Sequence, residues 1–566
     1  MSDSAEVADE AGREIAESAL PSEAQPMRAF LDRAVSAFGE RPALRFMGRA
    51  TSYAEFNKRI EEATAVLARL GAGPGVRIGL MLPSSPAVAV YTFAAFGCGA
   101  TVVPLDPDAT VKDLVGVAAA GRITVLVTCD LAGVLTKALA LARSSGVTCA
   151  VVVSFASMLP LASATRMRLF SSDGFGRPPA EFPCPIYLER TLLRDKTVET
   201  VAATVAGATP PQAISENPAI VWCGMAAGVY RTAALTQAQL ASNLVQICEG
   251  MPALRPGQER IVAALPLWHP LAFALAVNVA VAAGAELVIV PEMTGKALGE
   301  AVKRATPSVL IASAPLIGEM LAGPGIGALH LGSLRFGMLV GGSVPAALKN
   351  RLATLTPAPF LDTYGLSMAP AVVGITDSND AELAVHTRAL RGTRIMVRDF
   401  SDLSREVPRG ERGELCVWGP QVAAPHQVTP SEGAYIGADL RTGDLGLIDA
   451  EGRLFIVDRV EDLIVAAGYL IYPRRIEAAL LEHPDVLDAA VIGVGDGKRG
   501  HAPKAFVIVR RGVALTERDL RLFLTSRISK IEMPADIDFC TTLPRTAFAL
   551  ICKSQLRMAE AARRRG

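Results

Sequence analysis

Hydrophobic residues in the first part of the chain alternate between helical and strand spacing. One run recurs every three or four residues, which predicts the buried face of a helix: Phe56, Ile60, Ala63 and Leu67. Ser52 and Glu55 have the spacing of a helix-capping box, and Gly71 is the expected end. The alternation of such helices with short β-branched runs predicts α/β layers with mostly parallel sheets. The predicted strands are 76–81, 101–104, 123–128, 150–154 and 286–290.

The pattern changes near residue 458. The segment before it is rich in glycine and turns and predicts a β-rich region. After it, Pro473 opens a helix, two strands follow, and a second helix is predicted near 517–524. The fold class is therefore α/β, with a large layered N-terminal domain and a small, mobile α+β domain. The predicted divisions are a flexible tail at 1–27, a large domain at 28–457 and a small domain at 458–566.

Composition limits the classes of function. Of 566 residues, 51% are hydrophobic and 20% are charged, which is typical of a chain with a large packed core. Lys plus Arg and Asp plus Glu both number 56, so the net charge of zero gives no indication of nucleic-acid binding. Nine cysteines without a CxxC pair indicate reduced thiols in the cytoplasm and no zinc site.

Two apolar stretches bear on membrane contact. Residues 271–291 include Asn278, Gly284 and Glu286, so a buried helix followed by a strand is favoured over a membrane span. Residues 150–170 end in Arg166 and Arg168, and this stretch leaves a peripheral membrane contact open.

The densest group of spaced glycine and charged motif residues lies between Arg441 and Glu477. It comprises Arg441-Thr442-Gly443-Asp444-Leu445-Gly446, Gly452, Asp458-Arg459, Asp462, Gly468, Ile471-Tyr472-Pro473 and Glu477. This block closely resembles the adenylate-forming superfamily, which contains acyl-CoA synthetases, luciferase-like enzymes and peptide-synthetase adenylation domains. Further blocks with the same resemblance are Leu265-Pro266-Leu267-Trp268-His269, Gly341-Gly342-Ser343, Tyr364-Gly365-Leu366-Ser367, Gly413-Glu414-Leu415 and Gly419-Pro420. Within the superfamily, the insert around 128–192 looks most like bacterial long-chain fatty acyl-CoA ligases.

The resemblance implies a two-step reaction. A carboxylate, here a fatty acid, and ATP with Mg²⁺ form an acyl-adenylate and pyrophosphate. The C-terminal domain then rotates, and the thiol of CoA takes the acyl group. Both reactants are anions, so the site must supply positive charge, and closing domains must keep water from the intermediate.

The resemblance also implies roles for single residues. Asp444 would bind the ribose, Tyr364 would stack on adenine beside Gly341, Gly342 and Gly365, and Ser367 would face the α-phosphate. Arg459 lies at the domain junction near the nucleotide, and Glu461 occupies the hinge position. Trp268 and His269 are expected in the acyl pocket, with no role for His269 as a base.

Three family motifs are altered. The phosphate loop Thr-Ser-Gly-Thr-Thr-Gly-x-Pro-Lys-Gly corresponds to Cys223-Gly224-Met225-Ala226-Ala227-Gly228-Val229-Tyr230-Arg231-Thr232. It loses hydroxyls but keeps Gly228 and a cation at Arg231. Met368 stands where a glutamate holds Mg²⁺, and a thioether is a poor ligand for that ion. Leu550, after Ala549, stands where the family has its adenylation lysine.

These changes all affect triphosphate handling, so use of ATP and Mg²⁺ is doubtful. Loss of one preorganised charge donor costs about 3–4 kcal/mol of transition-state stabilisation. Three alternatives stay open: a slow acyl-CoA ligase, a non-catalytic acyl- or nucleotide-binding descendant acting as a sensor or subunit, and an enzyme that loads a carrier protein. Lys553, three positions after Leu550, would favour activity if it reached the α-phosphate.

Overall fold

The computed structural model describes residues 25–170, 175–176, 182, 184–194, 217–226, 229–251, 254–323, 327–341, 346–366, 371–376, 386–466, 468–497 and 499–563. The chain divides into two compact units. The first comprises Met1–Arg394 and Val417–Leu440, and the second comprises Ile395–Cys416 and Arg441–Gly566.

The described α-helices are α1 (Met27–Phe38), α2 (Tyr53–Arg69), α3 (Pro86–Gly97), α4 (Val111–Gly121), α5 (Ala132–Ser144), α6 (Leu161–Phe170), α7 (Glu189–Leu192), α8 (Gln237–Gly250), α9 (Pro270–Phe273), α10 (Val279–Ala282), α11 (Gly295–Ala305), α12 (Ala314–Ala322), α13 (Ala328–Leu331), α14 (Ala346–Leu355), α15 (Pro473–Leu481), α16 (Glu517–Leu524) and α17 (Lys553–Arg563). A π-helical segment, Ala274–Asn278, joins α9 to α10.

The described strands are β1 (Pro42–Phe46), β2 (Arg49–Ser52), β3 (Arg77–Leu80), β4 (Thr101–Pro104), β5 (Val125–Cys129), β6 (Cys149–Val153), β7 (Ile186–Leu188), β8 (Pro218–Ala226), β9 (Val229–Thr236), β10 (Arg260–Ala264), β11 (Glu286–Ile289), β12 (Val309–Ser313), β13 (Phe336–Val340), β14 (Phe360–Gly365), β15 (Val372–Ile375), β16 (Arg388–Ala389), β17 (Arg394–Arg398), β18 (Gly413–Trp418), β19 (Val428–Thr429), β20 (Tyr435–Ile436), β21 (Asp439–Ile448), β22 (Leu454–Arg459), β23 (Ile464–Ala466), β24 (Tyr469–Ile471), β25 (Val486–Asp496), β26 (Gly500–Val509) and β27 (Asp536–Phe539).

Two large sheets build the first unit. One has the order β16-β15-β14-β13-β12-β10-β11-β1-β2, and its central pairs from β14 to β1 are parallel. The other has the order β19-β9-β8-β4-β3-β5-β6-β7, and its pairs from β8 to β7 are parallel. The predicted α/β layers with mostly parallel sheets are confirmed.

The amphipathic helix predicted after Ser52 is α2. Its four predicted core positions are at most 2% exposed. The Ser52 hydroxyl accepts a hydrogen bond from the backbone N–H of Glu55 at 3.2 Å. The Glu55 carboxylate, however, binds Arg49 and Arg59, so only one half of the predicted capping box forms. A nearby guanidinium is a stronger partner for a carboxylate than a backbone N–H.

The apolar stretch 271–291 forms a buried helix followed by β11, as predicted. Nearly every side chain of α9, the π segment and α10 is buried, because this helix packs on all sides in the first unit. Among the described residues, no helix combines the length and the apolar character needed to cross a membrane.

Strands of the second unit form two further sheets. In one sheet, β18 lies between β17 and β21, and β22 pairs with β21 over residues 444–448 of β21. The other sheet has the order β24-β23-β26-β25, with β27 pairing with β26. α15 and α16 cover this sheet and bury Ile476, Leu480, Leu520 and Leu524 in its core. The predicted Pro473 helix and the 517–524 helix are therefore present.

This unit begins earlier than the predicted small domain. It contains 395–416 and 441–457 as well as 458–566, because β17, β18 and β21 form one sheet with β22. The predicted domain boundary at residue 458 lies inside this compact unit and stays a prediction. Most of the predicted tail at 1–27 lies outside the described residues, but α1 begins at Met27, whose side chain is fully buried.

Candidate functional site

Several sequence-predicted residues lie at one edge of the sheet that contains β10 to β14. The parallel strands β10, β12, β13 and β14 are neighbours there, so their carboxyl ends meet. Gly341 directly follows β13. Tyr364 lies near the end of β14, one residue after Thr363, which pairs with Val340 of β13. Ligands of open α/β sheets bind outside such carboxyl ends. The structure thus brings the two predicted adenine segments together.

Gly365 joins this edge to the segment that follows β10. A Cβ atom at Gly365 would lie 2.8 Å from Cδ2 of Leu271, closer than side chains pack. Gly341 has a φ of 96°, a conformation that favours glycine. Tyr364 is only 7% exposed, so most of its ring is used for packing and a limited face is open to a ligand.

Trp268 and His269, the predicted pocket residues, form an aromatic cluster with Trp222 on β8. The two tryptophans stack with ring centroids 6.4 Å apart, and the His269 ring lies 4.4 Å from that of Trp222. His269 Nδ1 accepts the backbone N–H of Leu271 at 3.2 Å, and burial lowers the pKa of His269 to about 3. The imidazole is therefore neutral, in agreement with a role in packing. Sequence reasoning missed Trp222, although it directly precedes the altered phosphate loop.

Beneath Trp268 lies a small apolar cavity of about 10 Å³, bounded also by Leu80, Val88, Leu267 and Phe273. That is about the space of one water molecule. An acyl chain could enter only if these side chains moved.

The altered phosphate loop is part of a regular β-hairpin. β8 and β9 are antiparallel, and their register continues through Cys223 with Thr232 and Gly224 with Arg231 to Ala226 with Val229. Strand pairing therefore extends as far as Ala226 on β8 and Val229 on β9. A phosphate cradle needs several backbone N–H groups that point at one ligand. Within the described part of the loop, the backbone follows a ladder and does not form such a cradle.

Two side chains hold this hairpin in the first unit. Arg231 donates to the backbone carbonyl of Glu432 at 3.0 Å. The Tyr230 ring lies against α4 at Gly116, where an added Cβ would come within 2.4 Å of the ring. The one cation retained from the family motif is thus already bound to a carbonyl, and the hairpin is anchored on both neighbours.

In the second unit, Asp444 and Arg459 face each other across β21 and β22. Arg459 Nε donates to Asp444 at 3.1 Å, and Glu461 lies 3.4 Å from the same guanidinium. Burial alone would lower the pKa of Arg459, but Asp444, Glu461 and Asp462 outweigh it and raise that pKa. An anionic acceptor beside a permanent cation suits the ribose and phosphate of a nucleotide.

Lys553 does not offer a free amine. Its ammonium lies 2.8 Å from Glu477 and 3.7 Å from Asp462, and its side chain is 13% exposed. Arg557 binds the same Asp462. Burial raises the pKa of Glu477, while Lys553 opposes that rise. These three ion pairs among four residues tie α17 to α15 and to the segment after β22.

Leu550 lies in a short loop closed by its own backbone. Thr546 N donates to Leu550 O at 2.7 Å, and Cys552 N donates to Pro544 O at 2.8 Å. Arg545 caps the loop by donating to Ala549 O at 2.8 Å and pairing with Asp488 at 2.5 Å. Ala549 has a φ of 59°, a left-handed conformation that strains an L-residue and that glycine adopts without strain.

Several predicted site residues lie outside the described part of the chain: Gly228, Gly342, Ser343, Ser367 and Met368. Their predicted roles stay predictions. Within the described residues, no three His, Cys, Asp or Glu side chains are grouped as metal ligands. The described cysteines are free thiols.

Comparison with known proteins identifies the family. A family profile described as AMP-binding enzyme matches residues 31–425, and one described as AMP-binding enzyme C-terminal domain matches residues 475–549. Long-chain-fatty-acid–CoA ligases from Bacillus subtilis (strain 168) and Escherichia coli O6:H1 are 24% and 27% identical to this chain. Each alignment covers 95% of this chain and 95% of the relative.

Solved structures show the same fold. ATP-bound MatB from Rhodopseudomonas palustris has a TM-score of 0.77 at 22% identity, over 94% of this chain and 98% of that one. A benzoate CoA ligase from Burkholderia xenovorans LB400 has a TM-score of 0.75 at 21% identity, over 94% and 99% of the two chains. The resemblance inferred from the motifs is confirmed: the chain belongs to the AMP-binding enzyme family, in the adenylate-forming superfamily of acyl- and aryl-CoA ligases.

Proposed function

We propose that this protein binds a nucleotide monophosphate and a carboxylate, such as a fatty acid, but forms the acyl-adenylate from ATP slowly or not at all. The observation that carries the proposal is that three cationic side chains near Leu550 in sequence are paired with acids. Arg545 pairs with Asp488, Lys553 with Glu477, and Arg557 with Asp462. None of these three side chains is a ready substitute for the missing lysine.

The hairpin β8–β9 supports the same proposal from the first unit. Its described backbone follows a strand ladder as far as Ala226 and Val229, and Arg231 donates to a carbonyl. Transfer at a triphosphate depends almost entirely on positioning and charge stabilisation. Loss of one preorganised donor lowers such rates by about a hundred- to a thousandfold.

Each unit, taken by itself, keeps residues that suit the adenosine half of the ligand. In the first unit, Gly341 and Tyr364 lie together at a carboxyl sheet edge. In the second unit, Asp444 is held beside Arg459. The names of the curated relatives favour a fatty acid or an aromatic acid as the carboxylate. CoA as acceptor and Mg²⁺ as ATP partner belong to the proposal through the family alone.

The test combines binding with turnover. Calorimetry measures AMP binding, and pyrophosphate release is followed with ATP and a panel of fatty and aromatic acids. The variants are Leu550→Lys and the matched apolar control Leu550→Met. We expect AMP binding by all three proteins, no wild-type turnover above background, and a gain of about a hundredfold only with the lysine.

Each other outcome is also informative. Wild-type turnover at about 1 s⁻¹ or faster, an ordinary value for enzymes, would overturn the loss of adenylation. Absence of AMP binding would overturn the nucleotide half of the proposal. AMP binding with no gain in Leu550→Lys would support a binding role, in which the β8–β9 hairpin also limits the reaction.

A further inference from the structure

A second pocket lies in the first unit at the opposite edge of the sheet from Gly341 and Tyr364. It has a volume of about 430 Å³, within the range of small-molecule sites. Arg260 and Glu286, which pair in register, begin β10 and β11, and Ser308 precedes β12. The pocket therefore lies at the amino ends of these strands, away from the residues of the proposed function.

Two buried carboxylates line this pocket, and each accepts hydrogen bonds from two side chains. The side chain of Glu286 is 7% exposed and accepts from Arg45 and Arg260, each at 2.6 Å. The side chain of Glu259 is 1% exposed and accepts from Ser308 Oγ at 2.5 Å and from Arg335. These acids are therefore neutralised by partners and do not set the charge of the pocket.

The balance of charge at the pocket is positive. Four guanidinium groups lie around the two carboxylates. Arg41 and Arg260 line the pocket itself, whereas Arg45 and Arg335 lie outside its lining and pair with the carboxylates from there. Arg41 is exposed and has no carboxylate partner among the described residues; it donates only through one terminal nitrogen, to Gly257 O. The surplus of two positive charges favours an anion that carries about two negative charges.

Unused donors of two arginines face this space. Arg260 uses Nε for Glu286 and one terminal nitrogen for Ala305 O, and within the described residues its other terminal nitrogen makes no hydrogen bond. Within the described residues, Nε and one terminal nitrogen of Arg41 also make no hydrogen bond. Gln258, exposed at the pocket wall, adds an amide. Guanidinium forks match the oxygens of a phosphate group in bidentate fashion.

We infer that this pocket binds a phosphate dianion, as free inorganic phosphate or as the phosphomonoester of a small metabolite. Arg41 and Arg260 supply the donors, and Glu286 fixes the Arg260 side chain. The site is separate from the proposed nucleotide site and does not depend on whether adenylation occurs.

Calorimetric titration with inorganic phosphate at constant ionic strength tests this inference. The variants are Arg41→Gln and Gln258→Glu, with Arg304→Gln as the control for loss of one exposed arginine. Arg304 lies on α11, and among the described residues its ion-pair partner is Glu300, at 3.4 Å. We expect saturable binding to the wild type with a Kd on the order of 1 mM. Binding should weaken at least about tenfold in both pocket variants and stay within about twofold in the control.

Two further titrations separate the sources and the sites. Tighter binding of glycerol 3-phosphate than of phosphate would indicate a phosphomonoester, and equal binding would indicate free phosphate. AMP binding should be unchanged in Arg41→Gln. No saturable phosphate binding by the wild type, unchanged binding in Arg41→Gln, or equal weakening of phosphate and AMP in that variant would overturn the inference.

Discussion

Two motif regions of the second unit differ in what their residues do. In the block Arg441–Glu477, the buried acids hold the fold. Asp458 is fully buried and accepts the backbone N–H of Arg474 at 3.0 Å, at the start of α15. Glu477 accepts the N–H of Val491 at 2.7 Å and also binds Lys553. In the loop around Leu550, by contrast, backbone hydrogen bonds close the loop, and a leucine stands where the family resemblance predicts a lysine.

This difference changes how the intact block should be interpreted. Its acids have partners within the unit that stabilise the fold whether or not adenylation occurs, so their presence is weak evidence of activity. The backbone of the loop depends on Arg545, Ala549 and Pro544, and these contacts tolerate leucine.

The largest effect is expected at Glu477. Glu477→Ala leaves Lys553 with only the 3.7 Å contact to Asp462 and leaves the Val491 N–H without its acceptor. We expect a loss of about 3 kcal/mol in the free energy of unfolding of the second unit, measured by urea denaturation. Glu482→Ala is the control, because its side chain is 61% exposed and pairs only with Arg527. Equal effects of the two changes would contradict a structural role for Glu477.

A smaller effect, on binding, is expected at Asp444. Asp444→Ala removes a carboxylate that lies beside Arg459, and AMP affinity should fall about thirtyfold, because a charged hydrogen bond contributes roughly 2 kcal/mol. Calorimetry with AMP measures it, and Glu451→Ala, whose side chain is 60% exposed, is the matched control. Unchanged affinity would place Asp444 with the structural acids of the block.

Local patterns predicted much of this architecture. Helical spacing identified α2, Pro473 identified the start of α15, and the apolar run before β11 identified a buried helix. These features depend on residues close in sequence. The division into units was less predictable, because β17 and β18 join β21 through pairing that no local pattern encodes.

The candidate site shows the same limit. Motif spacing predicted Asp444, Tyr364 and Trp268 as site residues. It could not find the contact of Trp222 with Trp268, nor the pairing of Lys553 with Glu477 and Asp462. Both depend on the three-dimensional course of separate strands and helices. The pairing of Lys553 matters more than the tryptophan contact, since a lysine close to Leu550 in sequence was the alternative that would have favoured activity.

The backbone of the Leu550 loop can be tested by Ala549→Gly. Ala549 has a φ of 59°, which costs an L-residue about 1 kcal/mol, and glycine removes that cost. We expect the free energy of unfolding to rise by about that amount, less the entropy that glycine adds to the unfolded chain. Ala547→Gly, at a position without a positive φ, should give no gain. A loss of stability in Ala549→Gly would show that the loop does not hold this conformation in solution.

The smallest effect is expected at Glu461, the predicted hinge residue. Its side chain is 57% exposed, and its carboxylate has one ion pair, at 3.4 Å to Arg459. Glu461→Gln should change the free energy of unfolding by less than about 0.5 kcal/mol, because exposed pairs contribute little. A loss of more than about 1 kcal/mol in urea denaturation would mean that Glu461 belongs with Glu477 among the acids that hold the fold. A neutral result would leave the residue free to serve a moving segment, since a hinge side chain must exchange its partners without breaking the packing on either side.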